Sequence, residues 1–108
     1  MIRFYQANST LLVTFDNSDN LSLVNLKHLM KQMVLKLKAP FGNVIVDMKG
    51  ISTIDRQGVS VMLLGQRLSQ MTGSQMSFFN VDERVISKIR EMRMDNRLFF
   101  CDQLMMVS

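Results

Sequence analysis

Apolar and polar positions change their spacing several times along this chain, and each change marks an element. Residues 2–6 and 11–15 are short strand-like runs separated by Asn8-Ser9-Thr10, which predicts an opening hairpin. Asp16-Asn17-Ser18-Asp19-Asn20 follows as a polar turn able to cap a helix. Leu26, Met30, Met33, Val34 and Leu37 then recur at helical spacing, predicting an amphipathic helix over 21–38 with a lysine-bearing outer face, ended by Pro40 and Gly42. The run 43–48 is apolar on successive residues and rich in β-branched side chains. That is the pattern of a strand covered on both faces, and so central in a parallel sheet.

Gly50 and the polar residues after it turn the chain into a second helix, where Val61, Leu64, Leu68 and Met71 mark an apolar face and Thr72-Gly73-Ser74 closes the element. Residues 76–79 read as the next strand. Asp82 caps a third helix whose Val85, Ile86, Ile89 and Met92 form the expected buried stripe, and 98–101 give a last strand. The order β-β-α-β-α-β-α-β predicts an α/β domain, a mixed and mostly parallel sheet with right-handed crossover helices. No internal repeat, low-complexity segment or linker interrupts it.

With 108 residues, the chain reads as one domain over 1–108, with no room for separate catalytic and regulatory domains. Apolar residues at 47% and charged residues at 20% fit an ordinary globular protein. No apolar run approaches the roughly 20 residues of a membrane span, and the first residues lack a signal peptide's apolar region, so direct membrane insertion is not expected and a cytoplasmic location is. Cys101 is the single cysteine, in keeping with a reducing compartment. A net charge of +4 favours acidic partners. The basic residues are nevertheless dispersed and not interleaved with aromatic ones, which argues against nucleic acid as a partner.

Catalytic constellations are scarce. One histidine and one cysteine leave no zinc cluster, and any nucleophile-histidine-acid set would depend on His28, which reads as an exposed helix residue among Lys27, Lys31 and Gln32. Asp47 and Asp55 lie near the carboxyl end of the central strand, where ligands bind in open α/β sheets, and paired carboxylates there could do acid-base work or hold magnesium. The plainer reading gives Asp55 a helix cap and Asp47 the loop amides of the turn through Gly50. Neither a GxGxxG nor a Walker-type pattern is present, and neither cofactor nor metal is expected. Eleven methionines stand out. Met30, Met33 and Met71 fall on expected core faces, whereas Met62, Met92, Met94, Met105 and Met106 are candidates for an adaptable recognition surface.

The most informative segment is Asp55-Arg56-Gln57-Gly58, a tight entry into a helix whose free N–H groups could hold an anion. From Asn43-Val44-Ile45-Val46-Asp47-Met48 through Gly50 to Asp55 and Gly58, and again at Asp95-Asn96-Arg97-Leu98-Phe99, the chain resembles the STAS family, the anti-sigma factor antagonist domain. Asp47, Asp55 and Gly58 match the family pattern, and the resemblance covers nearly the whole chain. It implies a non-enzymatic module that docks onto a serine-kinase anti-sigma factor, or onto a phosphatase of the same switch. The binding surface it implies comprises Asp55, Arg56, Gln57, Gly58, Val59 and Met62.

In phosphoregulated members the residue just before the loop glycine accepts the phosphoryl group. Here that position is Gln57, and Arg56 replaces the hydroxyl residue before it, so phosphorylation at the usual place is not expected. Ser52, Thr53 and Ser60 are the neighbouring hydroxyls to which such control could have moved. Many members continue into another helix after the last strand. Here residues 102–108 follow, and Leu104, Met105 and Met106 are candidates to cap the surface left open or to mediate a homodimer. An alternative with the same fold is the small cytoplasmic STAS subunit of a phospholipid ABC transporter, whose partner would be an ATPase subunit.

Overall fold

A computed structural model describes residues 2–15 and 42–101; the helix expected over 21–38, with His28, and the tail at 102–108 lie outside these described residues. The chain opens with β1 (Ile2–Ala7) and β2 (Thr10–Phe15), an antiparallel pair in register from Ile2 opposite Phe15 to Ala7 opposite Thr10. Its two-residue turn uses Asn8 at φ 54°, a left-handed conformation that asparagine adopts more readily than most side chains.

Strand β3 (Asn43–Asp47) lies parallel to β2, and β4 (Gln75–Phe79) lies parallel to β3. A short β5 (Phe100–Cys101) completes the five-stranded sheet, whose spatial order is the chain order β1-β2-β3-β4-β5. Between these strands run helices α1 (Arg56–Met71) and α2 (Glu83–Glu91).

Alternation along the strands separates the two faces of this sheet. Leu11, Val13 and Phe15 of β2, Val44 and Val46 of β3, and Met76 and Phe78 of β4 share a single core with Val59 and Met62 of α1 and Val85 and Ile89 of α2. Both helices therefore cover the same face. Val44, Ile45 and Val46 are all buried, so β3 is central and covered on both sides, as its uninterrupted apolar run predicts.

Two sequence expectations are corrected. The buried residues of α1 are Gly58, Val59, Met62, Gly65, Gln66 and Ser69, not the stripe through Val61, Leu64, Leu68 and Met71. Leu64 is 45% exposed and Met71, expected in the core, is 76% exposed. Both sets recur at helical spacing, and hydrophobicity favours the wrong one. The face turned to the sheet is instead the one with small residues and a side-chain amide that the core can use.

The second correction concerns the last strand, expected over 98–101 but confined to Phe100–Cys101. Leu98 is a core residue at 4% exposure. The Phe99 N–H, which a strand ladder would claim, donates instead to Gln66 Oε1 at 2.7 Å, while Gln66 Nε2 donates to the Arg97 carbonyl at 2.9 Å. Phe99 still joins the sheet through its carbonyl, which accepts from Phe78 N at 2.8 Å.

The ends of the helices follow local chemistry. Thr72 closes α1, and Gly73 takes φ 82°, a left-handed position suited to glycine. Asp82 caps α2 by accepting from Arg84 N, as expected, with Val85 and Ile89 buried beneath.

Gln66 ties α1 to the approach to β5 through two partly buried hydrogen bonds, so Gln66→Leu removes both and leaves a carbonyl and an N–H without this partner. The expected loss is about 1–3 kcal/mol in urea unfolding. A loss below about 0.5 kcal/mol contradicts this role for the amide.

Candidate functional site

The loop between β3 and α1 is built by three buried side chains and two carboxylates. Met48, Ile51 and Ile54 are 1%, 1% and 8% exposed and hold the loop down on the core. Gly50 turns it at φ 91°, where a side chain would be strained, and Ile51 N donates to the Met48 carbonyl at 3.0 Å. Asp47 Oδ1 accepts from Lys49 N at 3.0 Å and from Asn80 Nδ2 at 3.2 Å, fastening the loop's start to the end of β4. Asn80 reaches it from a left-handed backbone, φ 57°.

Asp55 does the corresponding work at the loop's end. It has extended backbone angles, and its Oδ1 accepts from Gly58 N at 2.7 Å, while its carbonyl accepts from Val59 N at 3.1 Å. This is an N-cap, and it occupies one of the N–H groups that could otherwise hold an anion. Ser60 Oγ donates to the Arg56 carbonyl at 3.1 Å. The two carboxylates thus serve separate structural bonds, and among the described residues no group of three or more His, Cys, Asp or Glu is placed to hold a metal ion.

What reaches solvent is narrower than the sequence suggests. Thr53, Asp55, Arg56, Gln57 and Ser60 are exposed, Ser52 is half-buried and Gly58 is buried. Val59 and Met62, expected as apolar partner contacts, are 2% and 4% exposed and pack into the core. Their part is to seat the start of α1, which leaves Arg56 and Gln57 pointing the site's polarity outward. No acidic residue follows Asp55 in the first turn.

One hollow borders the loop and another the start of α1. A cleft of about 470 Å³ at the carboxyl ends of β3 and β4 is lined by Lys49, Gly50, Ser52, Asn80, Asp82 and Arg84 among others. Asp82 and Arg84 neutralise each other there: Asp82 Oδ1 accepts from Arg84 N at 2.8 Å and Nε at 3.0 Å, and Oδ2 from Nη2 at 2.9 Å. The hydrogen bond from the Arg84 side chain, followed by that from its backbone N–H, holds the Asp82 carboxyl down to about 2, and the carboxylate raises the guanidinium in turn.

At the start of α1 a smaller groove of about 290 Å³ is lined by Arg56, Val59, Ser60, Leu63, Met92 and Met94. The sequence marks Met92 and Met94 as surface candidates, but nothing local in it places them beside Arg56. The contact joins residues more than thirty positions apart.

The chain matches the STAS domain family model over residues 2–104. No curated protein matches it. Its fold is similar to that of the anti-sigma factor antagonist SpoIIAA in its unphosphorylated form, with 10% identity, TM-score 0.76, and coverage of 95% of this chain and 90% of that one. A variant of RsbS from Moorella thermoacetica is similar at 13% identity and TM-score 0.78, with 95% and 87% covered. A further match is the murine solute carrier 26 family member A9 anion transporter, at 18% identity and TM-score 0.74, covering 94% of this chain but 17% of the transporter.

Two expectations follow from the local chemistry. The cap predicts that Asp55→Ala lowers unfolding stability by about 1 kcal/mol while Asp55→Asn changes it by a few tenths; equal stability of all three proteins contradicts the cap. The Asp82–Arg84 pair predicts a carboxyl titration midpoint of about 2 by NMR. Because the folded value is depressed, the pair's stabilisation is present above the ordinary aspartate range near about 3.9 and is lost as pH falls toward about 2. Arg84→Ala should return the midpoint toward the ordinary range, and an unmoved midpoint contradicts the pairing.

Proposed function

Because this chain belongs to the STAS domain family, we propose that it is a non-enzymatic partner-switching regulator. It docks onto a serine-kinase anti-sigma factor, or a related switch protein, without phosphorylation at the position before the loop glycine. The observation that carries the reading is an exposed Gln57 on the first turn of α1, beside exposed Arg56, above a loop fixed by Asp47, Asp55 and three buried apolar side chains.

A carboxamide has no hydroxyl to form a phosphoester, so the charge that weakens such complexes in phosphoregulated modules is never introduced at this point. Gln57 keeps the surface neutral, and Arg56 gives an acidic partner a charge-assisted contact. Asp55, Arg56 and Gln57 form the polar centre of the surface. Gly58, Val59 and Met62 act through it, by donating to the cap and seating the turn. A location in the cytoplasm belongs to this reading; among the described residues no helix is long and apolar enough to cross a membrane.

Among the neighbouring hydroxyls, Ser60 is bonded to the first-turn backbone and Ser52 is half-buried, whereas Thr53 is exposed. The reading has all three unmodified. A second reading, the small STAS subunit of a phospholipid transporter with an ATPase subunit as partner, draws on the similarity of fold to an anion transporter's structure. A kinase or phosphatase gene beside this one supports the first reading, and a transporter ATPase gene supports the second.

Capture of partners from the native cytoplasm, followed by titration calorimetry with the protein obtained, tests the surface. Arg56→Glu should weaken the complex about tenfold or more while leaving the unfolding midpoint within a few degrees of the parent. Unchanged affinity sinks the proposed surface. Intact-mass spectrometry of the protein from its own cells should show no added phosphate, and stoichiometric phosphate on Ser52, Thr53 or Ser60 overturns the phosphorylation-free reading.

A further inference from the structure

The groove beside Arg56 has a chemistry of its own. Its floor is apolar, made by Val59, Leu63, Met92 and Met94, with Leu63, Met92 and Met94 partly buried against the core. Thioether side chains adapt to irregular apolar partners. The groove's one hydroxyl, on Ser60, is already bonded to the Arg56 carbonyl. A hollow of about 290 Å³ is at the lower limit of small-molecule pockets and lacks the convergent polar groups that orient such ligands. It suits one or two apolar side chains of a protein partner.

The rim decides what kind of partner. Met92 caps the C-terminus of α2, and Arg93 follows at φ 58°. Arg93 N donates to the Arg90 carbonyl at 2.9 Å and Met94 N to the Ile89 carbonyl at 3.1 Å, so the chain reverses with both methionines against the core and Arg93 exposed between them. Glycine is the usual residue at such a left-handed helix end; here an arginine holds it.

Arg56 and Arg93 are both exposed, and neither has a carboxylate within ion-pair distance among the described residues. On α2, Arg84 pairs with Asp82 at 2.9 Å and Lys88 with Glu91 at 3.9 Å. The Arg56 guanidinium that lines this methionine-walled groove, with exposed Arg93 between the two methionines in the chain, is complementary to carboxylates beside apolar anchors.

We propose that this groove receives an acidic amphipathic helix of a partner protein, its apolar side chains on Met92 and Met94 and its carboxylates on Arg56 and Arg93. The proposal rests on the partner-binding reading above and extends it to the partner's chemistry and to the end of α2.

The test uses the full chain with carbon-13-labelled methionine methyl groups and a synthetic 16-residue helical peptide. The peptide carries leucine at positions three and four apart with glutamate on both flanks; a second peptide has lysine for every glutamate. The glutamate peptide should shift the methyl signals of Met92 and Met94 and leave that of Met71, exposed at the far end of α1, unmoved. Arg93→Glu should weaken this binding about tenfold, and raising salt from about 50 to about 500 mM should weaken it severalfold.

Equal binding of the lysine peptide, absence of any shift at Met92 and Met94, or those shifts with phosphatidylglycerol vesicles and not with the peptide would each overturn the proposal. The two readings fail separately. A captured partner sensitive to Arg56→Glu, with no peptide binding, removes the groove alone; peptide binding in the groove with no partner captured removes the partner-switching reading alone.

Discussion

The close seat of α1 on the sheet is the constraint from which the rest of the site follows. The helix turns Gly58, Val59, Met62, Gly65, Gln66 and Ser69 inward, a face of small side chains with two apolar ones and one amide. Val59 and Met62 fill the core against β2, β3 and β4, while Gln66 spans the helix and the segment before β5. With that face fixed, the first turn has a single orientation. Arg56 and Gln57 stand in solvent, and Asp55 has to close the helix from outside. The sheet, the cap and the exposed loop are one arrangement.

Charge is distributed to match. The loop's two aspartates are used internally, Asp47 on Lys49 N and Asn80, and Asp55 on Gly58 N. Asp82 neutralises Arg84 in the neighbouring cleft. The cations without an ion pair among the described residues include Arg56 at the start of α1 and Arg93 just beyond the end of α2. An arginine near a helix N-terminus is unfavourable toward the helix dipole, and one in a left-handed backbone is strained. Each is a small local cost at a position where the proposed function needs a cation.

The sequence is most legible where chemistry is local. The hairpin, the central strand and the caps at Asp55 and Asp82 depend on neighbouring residues, and the STAS resemblance through Asp47, Asp55 and Gly58 agrees with the family match. Legibility fails where one residue's role is set by a distant one. Two helical stripes compete on α1, and only the depth of the sheet beneath selects the one with Gly58, Gly65 and Ser69. Gln66 becomes structural by meeting Arg97 and Phe99, more than thirty residues away. Val59 and Met62 read as contacts because their loop is functional-looking; packing makes them its foundation. The expected helix at 21–38 and the tail with Leu104, Met105 and Met106 lie outside the described residues.

The central claim is that Gln57 sits at the docking surface and keeps it neutral, so that binding is not switched there. Gln57→Glu adds charge at this one exposed position without altering the core, and near a helix N-terminus it should leave the fold as stable or slightly more so. The most direct measurement is the partner's dissociation constant for this variant against the parent. The account predicts binding weakened about tenfold or more with undiminished thermal stability. An unchanged dissociation constant would contradict it.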